Sequence, residues 1–370
     1  MSNNNITTVT VNEMIDELCE LYEAAVEVPG GVAGLPSVYL QGPSGVGKSQ
    51  GVHQIAKRLE ECTGKRVVVT EVRLLLLSPI DLRGVPSKVE MEKEKEYCTQ
   101  WLKPAIFRMD ESKDCINILY LGELSACVPA MQAAGYQIVL EKCIGEHKLP
   151  DNCIVIADGN RLIDHSVVYR MPKALANKML HFEVISEFES WKAWAIENGI
   201  NDKVLAYLSY DKSNLFQDEV GLDEQAYKTP RTWEFVSKIM NLLPDKSPEQ
   251  LFKMIASAIG ENNASDFVVF CKLSNNLPHK EEILRGTCMN YPKTPDALHF
   301  VISALTVEIK KREDEITVTE LENCCSYAKG FHMDYASLLY HNLMDIPKLR
   351  MKLLECPSLV QWNRKYGYLF

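Results

Sequence analysis

Residues 42–49 read Gly-Pro-Ser-Gly-Val-Gly-Lys-Ser, which matches the pattern G-x-x-x-x-G-K-[ST]. The glycines of this pattern let the backbone curl, so that successive N–H groups point into one concavity that binds phosphate oxygens. In such loops the lysine reaches the outer phosphates and the final hydroxyl is a ligand for Mg²⁺. The predicted phosphate-binding residues are Gly42, Pro43, Ser44, Gly45, Val46, Gly47, Lys48, Ser49 and Gln50, and the predicted metal ligand is Ser49.

The segments on either side of this loop fit the same interpretation. Residues 37–40, Ser-Val-Tyr-Leu, form a short apolar run typical of a strand, and residues 50–61 carry apolar side chains at helical spacing. A helix that begins at the loop adds favourable potential for an anion. A glycine-rich turn that matched by chance would lack this strand and helix, so we interpret the stretch as a genuine phosphate loop.

Composition limits the class of protein. The chain has 370 residues, of which 46% are hydrophobic and 24% charged, as expected for a globular protein of two or three domains. A net charge of −10 makes a general nucleic-acid-binding surface unlikely. No apolar run is long enough to span a membrane, and residues 1–8 do not resemble a signal peptide. The 12 cysteines are scattered without a C-x-x-C pair, which predicts reduced thiols in a cytoplasmic protein.

Strands and helices alternate through the first half of the chain. Apolar runs predict strands near 37–41, 66–72, 115–121, 152–157 and 180–184, and helical spacing predicts helices near 11–26, 48–62, 126–141 and 173–178. A mixed-charge run at 90–96 predicts a solvated hairpin or loop. After about residue 185 the pattern is helical. The sequence therefore predicts an α/β fold with three αβα layers around a parallel sheet, followed by a helical region.

A second strand carries the acidic residue that a phosphate loop needs as a partner. Residues 116–121 are followed by Gly122 and Glu123, where an Asp-Glu pair is usual. In that pair the Asp holds Mg²⁺ and the Glu polarises the attacking water. Glu123 is present, but Gly122 replaces the Asp, which predicts weak ATP hydrolysis that rises on Gly122→Asp. Asp158, at the end of the next strand, is an alternative source of the missing carboxylate.

Several further motifs occur in a fixed order. Residues 78–86 read Ser-Pro-Ile-Asp-Leu-Arg-Gly-Val-Pro, which is similar to the D-P-x-D-L-R-G-x-P motif of MoxR-type AAA+ ATPases. Residues 119–124, 129–134, 155–160, 168–178 and 229–231 also match that family. From residue 37 to about 231 the chain thus resembles a MoxR-type AAA+ ATPase, a member of the P-loop NTPases, whereas the last hundred residues match only loosely.

The resemblance implies roles for the matching residues. Asn160 lies at the sensor 1 position, where its amide would contact the γ-phosphate or the attacking water, and Arg231 matches the sensor 2 arginine of a helical lid. The family ends its Ala-Leu-Ala-Asn stretch with the arginine that acts on a neighbouring subunit. Here Lys178 occupies that place, and Arg170 is the alternative, so both remain candidates.

The resemblance also implies a domain plan and an activity. The expected domains are an N-terminal helix and linker (1–36), a nucleotide-binding domain (37–185), a helical lid (186–276) and a helical extension (277–370). The implied activity is ATP hydrolysis with Mg²⁺ in a homo-oligomeric ring, a hexamer, that remodels or assembles a partner such as a von Willebrand A-like protein. The alternative is an ATP-binding scaffold with little hydrolysis. A small-molecule kinase or GTPase is less favoured, because no N-K-x-D motif is present.

Overall fold

The computed structural model describes residues 6–91, 96–164, 169, 171–218, 220–221, 223–274, 278 and 280–366. The chain divides into two compact units between Glu187 and Phe188. The predicted domain boundaries at 36, 185 and 276 remain predictions. No helix in these ranges is long and apolar enough to cross a membrane.

The first unit is built on a parallel sheet. The strands of the described residues are β1 (Thr7–Thr10), β2 (Val38–Gln41), β3 (Arg66–Arg73), β4 (Val85–Met91), β5 (Glu96–Leu102), β6 (Cys115–Gly122), β7 (Cys143–Ile144), β8 (His147–Lys148), β9 (Cys153–Gly159) and β10 (Leu180–Ile185). Six of them form one sheet in the order β1-β10-β2-β9-β6-β3, with every neighbouring pair parallel. The predicted parallel sheet is therefore confirmed.

Helices cover both faces of this sheet. They are α1 (Val11–Glu27), α2 (Gly31–Gly34), α3 (Lys48–Thr63), α4 (Pro79–Arg83), α5 (Pro129–Glu141) and α6 (Lys173–Ala176). Side chains alternate along a strand, so Ile118 and Tyr120 of β6 share a core with α1 and α3, whereas Leu119 and Leu121 share another with α5. All residues of β6 and β9 are buried, as expected for strands covered on both faces. The predicted three-layer arrangement is thus observed.

The first strand was missed by the sequence prediction. Only a helix was expected in residues 1–36, yet β1 pairs in parallel with β10 and forms one edge of the sheet. It has four residues, and Val9 is the one that is buried, so its periodicity is too short to recognise. Thr10 ends the strand and caps α1, where it exchanges hydrogen bonds with Glu13 in a capping box.

The connection between β3 and β6 contains the predicted charged hairpin. β4 and β5 pair antiparallel, and residues 92–95 at the tip of the charge run lie outside the described residues. Ser78 is the N-cap of α4 and donates its N–H and its hydroxyl to the carboxylate of Asp81, and the Arg83 guanidinium lies 4.3 Å from the centroid of Trp101. A second hairpin is formed by β7 and β8, in which His147 is partly exposed and its Nε2 is buried.

The second unit is helical among its described residues. Its helices are α7 (Phe188–Glu197), α8 (Asp202–Tyr210), α9 (Pro230–Leu242), α10 (Phe252–Ile259), α11 (Glu261–Ser274), α12 (Lys280–Leu284), α13 (Pro295–Lys311), α14 (Val318–Ala328), α15 (Met333–Met344), α16 (Arg350–Leu354) and α17 (Pro357–Tyr366). One hydrophobic core is built mainly from α7 to α11 and another from α12 to α17, and Phe300 of α13 packs against both. The helical region predicted after residue 185 is therefore confirmed.

We predict that α3 depends on its buried apolar face for stability. Leu59 of α3 is 0% exposed, whereas Leu76, between β3 and α4, is 77% exposed. Leu59→Ala should lower the free energy of unfolding by about 2–5 kcal/mol, because it removes buried methyl groups and leaves a cavity. Leu76→Ala should change it by no more than about 0.5 kcal/mol. Equal losses for the two variants in urea denaturation would contradict this packing.

Candidate nucleotide-binding site

The phosphate loop joins the end of β2 to the first residue of α3. Gly45 and Gly47 have φ angles of 80° and 114°, a region that side chains with a Cβ rarely adopt. Lys48 and Ser49 open the helix, so the loop wraps the helix N-terminus, where backbone N–H groups and the helix dipole favour an anion. The predicted strand–loop–helix geometry is therefore present.

The loop is anchored on the sheet at its start and in the core at its middle. The Gly42 N–H donates to the Gly159 carbonyl over 3.2 Å, which ties the loop to the end of β9. A Cβ at Gly42 would lie 2.4 Å from the Val184 carbonyl oxygen, so a larger residue does not fit there. Val46 is 4% exposed and packs in the core with α1 and α3. These contacts hold the concavity of the loop in place.

The side chain of Lys48 lies along the inner wall of the loop. Its ammonium donates to the carbonyl oxygens of Gly42 and Pro43 over 2.7 and 3.0 Å. The same Nζ lies 3.9 Å from Oδ2 of Asp158, and both side chains are almost fully buried. A buried charge needs a partner, and the loop carbonyls and Asp158 supply it. These contacts thus fix the lysine side chain against the loop.

The phosphate loop lies at the carboxyl ends of three neighbouring strands, β2, β9 and β6. β9, the strand that leads to Asn160, lies between β2 and β6. Leu40 of β2 is in register with Asp158 of β9, and Leu121 of β6 with Ala157. The carboxyl ends of parallel strands form the ligand crevice of open α/β sheets. Lys48, Glu123, Asp158 and Asn160 therefore lie on one edge of the first unit.

Glu123 follows β6 in an uncommon backbone conformation. Its φ of 62° and ψ of 34° lie in the left-handed region, which costs a residue with a Cβ on the order of 1 kcal/mol or more. The Glu123 N–H donates to Oδ1 of Asp158 over 2.7 Å, which holds this turn in place. The Glu123 side chain is exposed at the crevice. A carboxylate with this access suits the predicted role of polarising a water molecule.

Tyr120 contacts the predicted metal ligand. Its hydroxyl lies 2.9 Å from Oγ of Ser49, which links the middle of β6 to the first turn of α3. Burial, and next the charge of Asp158, raise the pKa of Tyr120 above its ordinary value, so the phenol keeps its proton. The sequence interpretation missed this residue. The sequence does contain a signal for Tyr120, namely an aromatic hydroxyl in a largely aliphatic strand. Tyr120 precedes Gly122 by two residues, so the two lie on the same face of the strand.

The backbone around Asn160 is also fixed by contacts that were missed. The Asn160 N–H donates to Oγ of Ser125 over 3.0 Å, and Ser125 is itself buried. At Gly159 an added Cβ would lie 2.1 Å from the Tyr39 hydroxyl and 2.5 Å from Oγ of Ser125. Tight packing thus sets the position at which Asn160 leaves the strand.

Lys178, Arg170 and Arg231 are the remaining predicted residues. Lys178 is exposed between α6 and β10, and Arg170 lies outside the described residues. Arg231 is exposed in the first turn of α9, in the second unit, where Thr229 caps the helix. Their roles toward a nucleotide remain predictions.

The donor atoms at the loop suit a magnesium–nucleotide complex. Within the described ranges, no three His, Cys, Asp or Glu side chains are grouped so that they could hold a metal ion. Mg²⁺, however, is usually held by one or two protein oxygens together with phosphates and water, so a closed protein cage is not required. The Ser49 hydroxyl and the Asp158 carboxylate are oxygen ligands beside a loop shaped for phosphates. The residues present therefore fit both ATP and Mg²⁺.

Comparison with known proteins finds likenesses only among solved structures. No family model and no curated protein matches the chain. A proposed ATPase from Cytophaga hutchinsonii is 12% identical with a TM-score of 0.32, covering 91% of this chain and 90% of that one. Aeropyrum pernix ORC2, solved in ADPNP–ADP complexes, is 12% identical with a TM-score of 0.39, covering 100% and 88%. A Thermotoga maritima RuvB mutant is 15% identical with a TM-score of 0.36, covering 81% and 85%.

At these identities and scores the likenesses do not establish a family. The fold assignment depends on the strand order, on the helices that cover both faces of the sheet, and on the phosphate loop between β2 and α3.

We predict that Gly159 cannot accept a side chain. Gly159→Ala forces Tyr39 or Ser125 to move and displaces Asn160, so the free energy of unfolding should fall by about 1–3 kcal/mol, as in overpacked cores. Gly34→Ala is the matched control, because no atom lies within 4 Å of an added Cβ there. Thermal or urea unfolding of both variants measures the difference. Full stability of Gly159→Ala would show that this packing is wrong.

Proposed function

We propose that this chain is an ATP-binding AAA+ ATPase of MoxR type, in which ATP hydrolysis drives remodelling or assembly of a partner protein. The observation that carries the proposal is the shared edge of the sheet, where the phosphate loop, Lys48, Glu123 and Asn160 lie beside three strand ends. We expect a nucleoside triphosphate bound at the loop to use each of these residues.

In this proposal the loop binds the phosphates through its backbone N–H groups, and Lys48 balances their charge. Bound Mg²⁺ supplies a Lewis acid that neutralises charge on the phosphates. Glu123, exposed at the crevice, accepts a proton from the attacking water, and the Asn160 amide orients that water or the terminal phosphate. Arg231, Lys178 and Arg170 are proposed to contact the nucleotide from the helical lid or from a neighbouring copy.

A scaffold that binds ATP with weak hydrolysis is the second candidate. It is favoured by one observation, the glycine at the end of β6, because no side chain at 122 is available to orient Mg²⁺. Loss of such a positioning group is expected to slow turnover by about 10²-fold, whereas the backbone N–H groups and Lys48 would still bind phosphate. The rate of hydrolysis therefore separates the two candidates.

A ring of identical copies and a protein partner belong to the same proposal. Support comes from the connection between β3 and β6, which leaves several apolar side chains exposed: Leu75, Leu76, Ile80, Val85, Leu102 and Ile106. Two of them, Val85 and Leu102, are cross-strand partners, and contiguous exposed apolar side chains are typical of surfaces that bind proteins. Nothing in these residues selects a von Willebrand A-like partner over another. A cytoplasmic location is part of the proposal.

We predict that Lys48 determines nucleotide affinity. Lys48→Ala should weaken binding of a fluorescent ATP analogue by at least about tenfold, because it removes the buried ammonium that faces the phosphates. Lys57→Ala, also on α3 but with a side chain 79% exposed, is the matched control and should bind as the unchanged protein does. Equal affinity of the two variants in a fluorescence titration would refute the proposed site.

We predict that Glu123 acts in hydrolysis and not in binding. Glu123→Gln should keep ATP affinity and lower the rate of phosphate release by about 10²-fold or more, the contribution of a positioned general base. Glu60→Gln, an exposed position on α3, should leave the rate unchanged. Size-exclusion chromatography of the Glu123→Gln variant with ATP tests whether identical copies of the chain assemble into a ring. A rate unaffected by Glu123→Gln would remove this residue from the mechanism.

A further inference from the structure

The end of β6 has room for a side chain that the sequence does not supply. Gly122 is not among the residues with positive φ, so its backbone conformation does not demand glycine. An added Cβ would meet Oδ1 of Asp158 and the Val72 carbonyl oxygen at 3.9 Å, and Cγ of Arg73 at 4.0 Å. These are ordinary contacts. Packing therefore tolerates a side chain at 122, and the absence of a carboxylate there needs another explanation.

The carboxylate of Asp158 lies beside the position that a side chain at 122 would occupy. Its Oδ1 is 3.9 Å from an added Cβ at Gly122, which is van der Waals contact. The two strands are neighbours and in register at this level, with Leu121 beside Ala157. An acidic group that is absent from β6 is thus replaced in space by one from β9.

Asp158 is also connected to the groups that handle phosphate and metal. Oδ1 accepts the Glu123 N–H over 2.7 Å, whereas Oδ2 lies 3.9 Å from Nζ of Lys48, which is longer than a hydrogen bond. The residue is 6% exposed. The Tyr120 hydroxyl, which contacts Oγ of Ser49, also hydrogen-bonds to Asp158, so one buried side chain joins this carboxylate to the predicted metal ligand.

We propose that Asp158 replaces the missing aspartate at 122 and is the carboxylate that holds Mg²⁺ beside bound ATP. This inference rests on the proposed ATP-binding function. Ser49 supplies the hydroxyl ligand, and Tyr120 orients that hydroxyl through its 2.9 Å contact. Mg²⁺ keeps several waters and is usually bound through one or two carboxylates and the substrate phosphates, so a carboxylate from the neighbouring strand is sufficient.

The proposal changes the expectation for Gly122→Asp. The sequence alone predicts a gain from this substitution. With Asp158 in place, the new carboxylate would lie next to an existing one, and two like charges at that distance oppose each other's ionisation. A gain is therefore expected only when the charge of Asp158 is removed at the same time.

The experiment measures the affinity of each variant for a fluorescent ATP analogue, once in Mg²⁺ and once in EDTA. The readout is the ratio of these two affinities. The variants are Asp158→Asn, Gly122→Asp, the double variant Gly122→Asp/Asp158→Asn, and Asp151→Asn, an exposed control just before β9. Asparagine keeps an oxygen that accepts the Glu123 N–H, so the turn is retained. Asp158→Asn should lower the Mg²⁺:EDTA affinity ratio by about 10–100-fold, with affinity in EDTA equal or higher. The double variant should recover most of the ratio, and Asp151→Asn should keep it.

Three results overturn the inference. The first is an unchanged ratio in Asp158→Asn. The second is a tenfold rise in the ratio in Gly122→Asp with Asp158 present, because such a rise would show that Asp158 does not already act as the carboxylate ligand. This second result does not depend on the folding of Asp158→Asn. The third is an unmodified protein that binds ATP without any Mg²⁺ dependence. If the unmodified protein binds no ATP in either buffer, the proposed function itself fails together with this inference.

Discussion

A single hydrogen bond, from the Glu123 N–H to the carboxylate of Asp158, joins the ends of two neighbouring strands at the phosphate loop. It holds Glu123 in the left-handed region, and it also fixes the carboxylate 3.9 Å from the ammonium of Lys48. Lys48 in turn is held by the carbonyl oxygens of Gly42 and Pro43. The positions of Glu123, Lys48 and the loop thus depend on one another, so a substitution that moves one of them is expected to move the other two.

The loop and its two flanking elements could be predicted from the sequence because their signals are local. A glycine pattern of fixed spacing, an apolar run and a helical repeat occupy about 25 consecutive residues, long enough for periodicity to be read. The start of α9 has a local signal of the same kind, since Thr229 and Pro230 form a recognisable helix start. Interactions between residues that are close in sequence determine these features.

The rest of the site depends on residues far apart in sequence. Tyr120 meets Ser49 across 71 positions, and Glu123 meets Asp158 across 35. No local pattern reports such pairs, and the left-handed turn at Glu123 runs against the propensity of a glutamate. The sequence suggested Asp158 as an alternative carboxylate, but only the register of β6 and β9 places it beside Gly122.

The edges of the sheet carry a consequence for how copies of the chain associate. An exposed strand edge is a template for pairing with another chain, and proteins guard against this with short or charged edge strands. Here β1 offers only four residues at one edge, and β3 at the other begins and ends with exposed arginines, Arg66 and Arg73. Continuous sheet growth from one molecule to the next is thereby disfavoured. Side-chain surfaces, which can separate and rejoin without breaking a backbone ladder, are therefore favoured over this sheet as the contact between copies.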